Sequence, residues 1–285
     1  MSSSYNNIVG TDTANVLIGT SGADSIVALA GDDTVIGVGG VDIVNLGLGN
    51  DSIFLDSDTT GASIQGGGGN DSLNVTVAFN SSTLRGGDGN DSIFISQGAA
   101  KALVNGGAGN DTLQLGTGVG DAFPSATVYG GGGDDTLNIQ GTVSNATVWG
   151  GGDIDTSTDG NDSLYFAATV SAVDVNGNGG NDTITLASVL KGASNVRAGQ
   201  GNDQISIVSS VTTSNIYANI GADTIILSSS AVGASIYGGS PNDTTADGSD
   251  SLYIAGSVSS TYVQANAGND SVQFGAAVIG STVLA

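Results

Sequence analysis

The sequence contains no cysteine, no histidine and no glutamate, and only 4 basic residues. Without cysteine the chain has no disulfide, no thiolate metal ligand and no thiol nucleophile. Without histidine it lacks the commonest general base, the Ser-His-Asp triad and nearly all zinc and copper sites. The basic residues Arg85, Lys101, Lys191 and Arg197 are scattered, so no basic patch can bind nucleic acid or anionic lipid. We therefore expect a protein that is not an enzyme and does not bind nucleic acid.

Long apolar runs are also missing, so we expect no membrane insertion. The segment from Met1 to Asn7 lacks the basic and apolar parts of a secretory signal peptide. Proline occurs 2 times, whereas glycine occurs 48 times, which is about twice its usual share. The apolar residues alternate regularly between glycine-rich segments, which argues against disorder. The net charge is −23 and all 27 acidic residues are aspartate, whose short side chain folds back readily onto its own loop.

A glycine-rich loop that ends in aspartate and leads into a short alternating strand recurs along the chain. The clearest copy runs from Gly87 to Ile95 and reads GDGNDSIFI. A fixed period indicates stacked repeats, and this pattern matches the calcium-binding nonapeptide of parallel β-helices, G-G-x-G-x-D-x-U-x. Close copies are Gly47 to Leu55, Gly67 to Val75, Gly107 to Leu115, Gly131 to Ile139, Gly199 to Ile207 and Asn266 to Phe274.

The spacing of the motif changes along the chain. The spacing is nine residues in the first part of the chain, up to Leu55, and about twenty residues after Asp51. In the first of the nine-residue copies, Asn15 takes the place of the aspartate. Each longer unit has a second, weaker strand signal, such as Thr83 to Gly86, so it contains two short strands and two turns. Two nonapeptides make an equivalent coil of about 18 residues. The sequence predicts an all-β fold, a single parallel β-solenoid over 1–285, with nonapeptide-spaced coils in 1–58 and coils of about 20 residues in 59–285.

Alternation within each strand predicts which side chains face inward. Ile93 and Ile95 share one face and Phe94 lies on the other. We expect the inward pairs to stack into aliphatic columns at about 4.8 Å per coil. The equivalent pairs are Leu73/Val75, Leu113/Leu115, Leu137/Ile139, Ile184/Leu186, Ile225/Leu227 and Leu252/Ile254.

Three coils carry insertions, near 118–124, 152–160 and 240–248. The first contains Phe123-Pro124 and is interpreted as a surface bulge. The other two are acidic and rich in threonine. They are either tolerated loops or extra cation sites, formed by Asp153, Asp155 and Asp159 or by Asp243 and Asp247.

The chemistry of the loop favours calcium. A hard divalent cation takes six or more oxygen ligands, and a Gly-x-Gly-Asn-Asp turn offers both backbone carbonyls and a carboxylate. The alternative is a set of tight turns in which aspartate only bonds to local N–H groups. Stacked aspartates about 5 Å apart would then repel one another with nothing to neutralise them, which favours the calcium interpretation.

The repeats resemble the RTX family, the calcium β-roll of repeats-in-toxin proteins, most closely in the run from Ile18 to Val35. The resemblance implies calcium shared between adjacent coils, folding driven by external calcium, and export by type I secretion without a cleaved signal. Asn219 to Asp223 and Asp247 to Asp250 depart from the glycine pattern, which weakens the prediction there. The ligating carboxylates that the resemblance implies are Asp24, Asp33, Asp42, Asp51, Asp71, Asp91, Asp111, Asp135, Asp162, Asp182, Asp203, Asp223, Asp250 and Asp270.

Many RTX repeats are attached to an enzyme or toxin domain, but every stretch here fits the solenoid. No polar cap is evident at either end, and the run Ser281 to Ala285 stops in mid-coil. We therefore expect a calcium-dependent, self-assembling extracellular structural protein, a surface filament or surface-layer subunit that polymerises with itself head to tail.

The alternative is a secreted, monomeric adhesin that binds a cell-surface glycan. An outward row of Tyr129, Trp149, Tyr217 and Tyr237 suggests it, with Phe94, Tyr165 and Tyr253 expected on the other face. An ice-binding role is rejected because it needs a regular threonine row in the loops. The corresponding positions hold Gly, Asp, Ala, Gln or Leu.

Overall fold

The computed structural model describes residues 5–37, 39–57, 59–118, 120–152, 159–240 and 248–284. Within these ranges all regular structure is β-strand. No helix in them is long and apolar enough to cross a membrane.

The first twelve strands alternate between two sheets. They are β1 (Asn6–Val9), β2 (Val16–Ile18), β3 (Asp24–Val27), β4 (Thr34–Ile36), β5 (Ile43–Leu48), β6 (Ser52–Leu55), β7 (Ser63–Gly68), β8 (Ser72–Val75), β9 (Thr83–Asp88), β10 (Ser92–Ile95), β11 (Leu103–Ala108) and β12 (Thr112–Leu115).

From β13 onward each coil has three strands. These are β13 (Ala122–Pro124), β14 (Thr127–Gly132), β15 (Thr136–Ile139), β16 (Thr142–Ser144), β17 (Thr147–Gly151), β18 (Ser163–Phe166), β19 (Val170–Ser171), β20 (Asp174–Gly179), β21 (Thr183–Leu186), β22 (Leu190–Lys191), β23 (Asn195–Gln200), β24 (Gln204–Ile207), β25 (Val211–Thr212), β26 (Asn215–Ile220), β27 (Thr224–Leu227), β28 (Ala231–Val232), β29 (Ser235–Tyr237), β30 (Ser251–Ile254), β31 (Val258–Ser259), β32 (Tyr262–Gln264), β33 (Ser271–Phe274), β34 (Val278–Ile279) and β35 (Thr282–Leu284).

The strands form parallel sheets in which neighbours come from successive coils. In the described residues sheet A has 14 strands, from β1 to β35, sheet B has 13, from β2 to β33, and sheet C has 8, from β13 to β34. The register is in phase with the repeat, so that Ile93 pairs with Leu73 on one side and Leu113 on the other. The predicted all-β parallel β-solenoid is therefore confirmed.

The core lies between the sheets as continuous aliphatic columns. Ile93 and Ile95 are fully buried, while Phe94 faces outward and is half-buried. All the inward pairs predicted from alternation are likewise buried. Alternation succeeds because every strand has the same neighbours above and below it, so one inward face is repeated in each coil.

The third sheet corrects two expectations. A coil of two strands holds only up to β12, and the insertion at 118–124 is not a surface bulge. Phe123 is 1% exposed and belongs to the core, and its strand β13 pairs with β16 at the start of sheet C. The Phe123 ring lies so close to Gly141 that a β-carbon there would overlap it. The same side of the coil is already present in the two preceding coils, where Phe79 and Ala99 are buried and their N–H groups donate to Gly98 and Ala122. Phe123 continues this buried column, so its segment packs inward.

The corner before each sheet A strand from β7 onward uses left-handed backbone. Lys101 has φ 56° and Thr213 has φ 48°. For residues other than glycine this region costs about 1 to 2 kcal/mol. The same corner recurs at Ser81, Ser125, Asn145, Ala172, Ala193 and Ser260.

Candidate metal centre

The motif loop connects a sheet A strand to the next sheet B strand. Its two glycines have positive φ, as in Gly87 at 127° and Gly89 at 121°. A β-carbon on Gly87 would overlap the carbonyl oxygen of Gly67 in the preceding coil, so a side chain is sterically excluded there. These glycines turn the backbone tightly and place Asp91 at the entrance of strand β10.

One carboxylate oxygen of each motif aspartate connects two coils. The backbone N–H of Asp71 donates to Oδ1 of Asp91 at 2.7 Å, and that of Asp91 donates to Oδ1 of Asp111 at 2.7 Å. Bonds of the same kind, with the donor first, join Asn15 to Asp33, Asp33 to Asp51, Asp51 to Asp71, Asp111 to Asp135, Asp135 to Asp162, Asp162 to Asp182, Asp182 to Asp203, Asp203 to Asp223, Asp223 to Asp250 and Asp250 to Asp270.

The second oxygen of most of these aspartates is buried and has no hydrogen-bond partner. In Asp91 this atom, Oδ2, lies beside the Cα of Gly86, and the carbonyl oxygen of Gly106 in the next coil faces the same place. Both atoms are acceptors, so neither can satisfy the other. The same unpartnered Oδ2 occurs in Asp33, Asp42, Asp51, Asp71, Asp111, Asp135, Asp162, Asp182 and Asp203.

Burial makes these carboxylates poor anions in the absence of a cation. It raises the pKa of Asp71 and Asp111 to about 7, and that of Asp135 and Asp182 to about 8. The pKa of Asp162 is raised furthest, to about 9, by burial and then by repulsion from Asp135, Asp182 and Asp159. The ladder hydrogen bond from the preceding backbone N–H opposes this shift but does not cancel it. A bound cation would remove the penalty.

The donor set fits calcium. The unpartnered atoms are oxygens, and no three carboxylates converge on one point within the described ranges. A cation with six or more ligands must therefore also take backbone carbonyls, such as that of Gly106, and calcium accepts this irregular mixture. The motif aspartates with neighbouring glycine carbonyls would hold the ion, which would supply charge neutralisation and a link between coils.

The predicted ligands fall into two rows. Asp24 and Asp42 lie at the start of sheet A strands, and the backbone N–H of Asp24 donates to Oδ1 of Asp42 at 2.8 Å. Both oxygens of Asp24 accept hydrogen bonds from Thr20, and Oδ1 also accepts one from Asn6. The other twelve predicted ligands form the second row, before sheet B, where Asp270 in the last described coil is only half-buried.

The first row loses its carboxylates after Asp42, as the sequence predicted for one of the two loops. Sheet A pairs Ile43 with Ser63, which places Ala62 where Asp42 stood and Ser82 one coil further on. The Ser82 hydroxyl donates to the carbonyl of Thr59 at 2.7 Å and accepts the backbone N–H of Ala62. A neutral side chain thus stabilises the corner that replaces this metal loop.

An asparagine ladder was missed from the sequence. The backbone N–H of Asn70 donates to Oδ1 of Asn50 at 2.8 Å, and that of Asn90 donates to Asn70 at 2.7 Å. In this exposed ladder the donor lies in the later coil, whereas in the aspartate ladder it lies in the earlier coil. The asparagine ladder continues through Asn110, Asn161, Asn181 and Asn202, with Asp134 in one coil. The recurrence of Asn before the motif Asp was the available signal.

Of the predicted extra cation sites, Asp153, Asp155, Asp243 and Asp247 lie outside the described residues. Asp159 is described and enters the motif loop before Asp162.

A family model described as the RTX calcium-binding nonapeptide repeat (4 copies) matches residues 9–44, 18–53, 63–75, 81–99, 103–119 and 127–138. In these segments the chain carries repeats of the RTX calcium-binding type. The matches include the loops of Asp33, Asp42, Asp51, Asp71, Asp91, Asp111 and Asp135, whose Oδ2 atoms lack partners, and the same geometry continues beyond the matches at Asp162, Asp182 and Asp203. RTX repeats bind calcium, and this chain accordingly binds several calcium ions. No enzyme family is indicated.

Two solved structures are similar to this chain. One is a hyperactive, Ca²⁺-dependent, β-helical antifreeze protein from an Antarctic bacterium, 25% identical, with a TM-score of 0.70 over 92% of this chain and 83% of that chain. The other is a TibC-catalysed hyper-glycosylated TibA fragment, 17% identical, with a TM-score of 0.42 over 98% of this chain and 94% of that chain. No curated protein matches.

Proposed function

We propose that this chain is a non-enzymatic structural protein that folds on calcium outside the cell and assembles with itself by coil stacking, as a surface filament or surface-layer subunit. The row of buried, unpartnered aspartate oxygens carries the proposal. A fold that requires many calcium ions suits a compartment where calcium is abundant, as for extracellular modules with millimolar affinity. Export by type I secretion is part of this proposal.

The uncovered coils at the ends of the described stack support self-assembly. At one end Val278 and Val283 are 41% and 38% exposed, although they continue columns in which Val258 and Val263 are fully buried. At the other end Leu17 is only half-buried and continues the column of Val35. A further β-coil, from a second copy or from more of the same chain, would cover these side chains and pair the open strand edges.

The net charge of −23 favours contact through these ends over contact through the sides. Rods of like charge repel each other along their length, whereas the uncovered ends present backbone groups and apolar side chains. We therefore expect end-to-end association first, and lateral layers where calcium also bridges neighbouring rods.

Electron microscopy and light scattering with and without calcium test the assembly. We expect filaments in calcium and none in EGTA. Val278→Lys places a charge in the uncovered core column and should abolish filaments. Ile279→Lys is the matched control, because Ile279 is the next residue but faces outward and is 60% exposed. A calcium-folded wild-type protein that stays monomeric, or equal loss in both variants, contradicts assembly by coil stacking.

A second candidate function is glycan binding, and the aromatic row of sheet A favours it. The rings of Tyr217 and Tyr237 stack at 5.0 Å, and those of Tyr129 and Trp149 lie 5.4 Å apart. The row is not continuous, because Asn176 and an ion-paired Arg197 separate the two groups. An open groove of about 350 Å³ beside them is lined by Asn176, Asn178, Arg197, Gln200, Asn219 and Ser240. Aromatic faces beside amide and guanidinium donors are the chemistry that holds a sugar.

Binding of the calcium-loaded chain to immobilised glycans tests this candidate. Tyr217→Ala should abolish such binding, and so should Trp149→Ala if both aromatic groups take part. Tyr253→Ala removes the same type of side chain from the outer face of sheet B and serves as the control. Equal binding by Tyr217→Ala and wild type excludes this surface.

Ice binding, the role of the Antarctic protein, is not proposed for this chain. The position between the two positive-φ residues of the motif loop, the x of Gly-x-Gly-Asn-Asp, is not threonine in these coils. It is occupied by Leu48, Gly68, Asp88, Ala108, Gly132, Gly179 and Gln200. No row of threonine hydroxyls therefore lines these described loops.

A further inference from the structure

The insertion before Asp162 changes how sheet A continues into the motif loop. In regular coils the pairing passes through the motif, with Gly87 opposite Gly107 and Asp88 opposite Ala108. Between β17 and β20 the pairing stops at Trp149 and Asn176. Beyond this point the N–H of Asn178 donates to the side-chain oxygen of Asn176 at 3.3 Å, and the N–H of Gly179 donates to Oδ2 of Asp159 at 2.8 Å. A carboxylate therefore takes the place of a main-chain acceptor.

The carboxylate of Asp159 points into the loop and not into solvent. A β-carbon on Gly151 would overlap both oxygens of Asp159, so this carboxylate lies directly against the backbone at the end of strand β17. Its second oxygen, Oδ1, is buried and has no hydrogen-bond partner. Asp159 thus repeats the arrangement of the motif aspartates, with one oxygen bonded to a neighbouring coil and one left unsatisfied.

Asp159 lies among the most deeply buried carboxylates of the second row. Asp135 and Asp182 are each 1% exposed and Asp162 is 2% exposed, and all three have an unpartnered Oδ2. Repulsion from Asp159 contributes to the raised pKa of all three carboxyls, after the larger effect of burial. An added carboxylate makes this segment less stable unless a cation is bound there.

Asp88 shows that the motif position alone does not produce this arrangement. It occupies the same place, two residues before the Asn of its loop, but its coil has no insertion. Its backbone carbonyl accepts the N–H of Gly69 at 2.8 Å, and its side chain is exposed. The carboxylate therefore faces inward at Asp159, where the coil carries an insertion, and outward at Asp88, where it does not.

We propose that Asp159 is a calcium ligand, which together with Asp162 and backbone oxygens forms a site of higher negative charge and higher affinity than the regular sites of the solenoid. The inference rests on the calcium-dependent fold proposed above. Calcium affinity in oxygen sites rises with the number of charged ligands, and a trivalent lanthanide should gain more than calcium. The second insertion has the same ending in sequence, Asp247-Gly248-Ser249-Asp250, with Asp247 outside the described residues.

The single tryptophan provides a local reporter, because Trp149 lies two residues before Gly151 on strand β17. Terbium is titrated into the metal-free chain with selective excitation of Trp149, and its sensitised emission is then displaced with calcium. We expect Asp159→Asn to weaken the emission-producing site by about tenfold or more, since asparagine keeps the acceptor for Gly179 but not the charge. Asp88→Asn removes an exposed charge at the same motif position and should leave the titration unchanged. Equal titrations for the two variants overturn the proposal.

Two further measurements separate this inference from the proposed function. Circular dichroism of the wild type in calcium and in EGTA reports whether folding depends on calcium at all. If the wild type folds with calcium but Asp159→Asn titrates like Asp88→Asn, only the role of Asp159 is wrong. Anomalous diffraction from terbium-loaded wild-type crystals needs no variant. An ion bonded to Asp159 supports the proposal, and ions that bypass it contradict the proposal.

Discussion

At the scale of the residue, most motif aspartates have two separate tasks. In Asp91, Oδ1 accepts the backbone N–H of Asp71, while Oδ2 is buried against Gly86 with no donor. The short side chain permits both, since it reaches its own loop and the next coil together. This explains why the motif position holds aspartate and never the longer glutamate. The same residue therefore fixes the register and supplies the charge that calcium neutralises.

The raised pKa values predict opposite pH dependence with and without calcium. Burial raises the pKa of Asp135 to about 8 and of Asp162 to about 9 in the metal-free fold. An unfolded aspartate titrates at about 3.9, so between roughly pH 4 and pH 8 the folded state binds more protons than the unfolded state. The free energy of unfolding of the metal-free chain should therefore fall as pH rises. With calcium it should rise, because the ion binds deprotonated carboxylates.

Thermal unfolding at several pH values between about pH 4 and pH 6, in metal-free buffer and in calcium, measures both slopes. Asp162→Asn removes the group with the largest shift and should flatten the metal-free slope. Asp12→Asn, at an exposed position, should leave it unchanged. A metal-free protein that is more stable at the higher pH contradicts the burial of charged carboxylates.

At the scale of the element, the third side of the coil becomes a regular parallel sheet from β13 onward. Every later coil adds a strand to this sheet, including coils without an insertion, such as those of β22 and β25. Phe123 then fills the space between the sheets beside Gly141. The period and the alternation could be read from the sequence because they repeat locally. Whether the segment around Phe123 bulges outward or packs inward depends on the coils stacked against it, so the sequence alone did not decide the place of Phe123.

The core position of Phe123 predicts a large loss of stability in Phe123→Ala. Deleting a buried phenylalanine side chain costs about 3 to 5 kcal/mol, from lost burial and the cavity that remains. Phe54→Ala is the matched control, since Phe54 faces outward from sheet B and is 38% exposed. Its substitution should change the free energy of unfolding by about 1 kcal/mol or less. Urea unfolding in saturating calcium measures both, and similar losses would show that Phe123 is not a core residue.

At the scale of the whole molecule, the solenoid is a rod in which a row of aspartates lies alongside the aliphatic core. Sheet B has 13 strands in the described residues, which at about 4.8 Å per coil gives a rod of roughly 60 Å. The second aspartate row follows this length just outside the aliphatic columns. Folding the coils thus brings buried carboxylates together, and the fold depends on what neutralises them.

Calcium removal at neutral pH should therefore unfold the chain. Each uncompensated buried charge costs several kcal/mol, and several of them exceed the roughly 5 to 15 kcal/mol that stabilises a typical domain. Far-UV circular dichroism should lose its β signal in EGTA and recover it on addition of calcium. Magnesium is the control ion and should be much less effective, because it demands regular octahedral geometry and retains its waters. An unchanged spectrum in EGTA would contradict the metal-dependent fold.

The sequence by itself determined the β-solenoid, the inward faces of its strands and the fourteen candidate aspartates. These features follow from a local repeat, and identical repeats stack in only one register. The tertiary structure decided the third sheet, the burial of Phe123, the asparagine ladder and the inward position of Asp159. Each of these depends on contacts between residues about twenty or more positions apart. No local pattern specifies which atom of the neighbouring coil a given side chain meets.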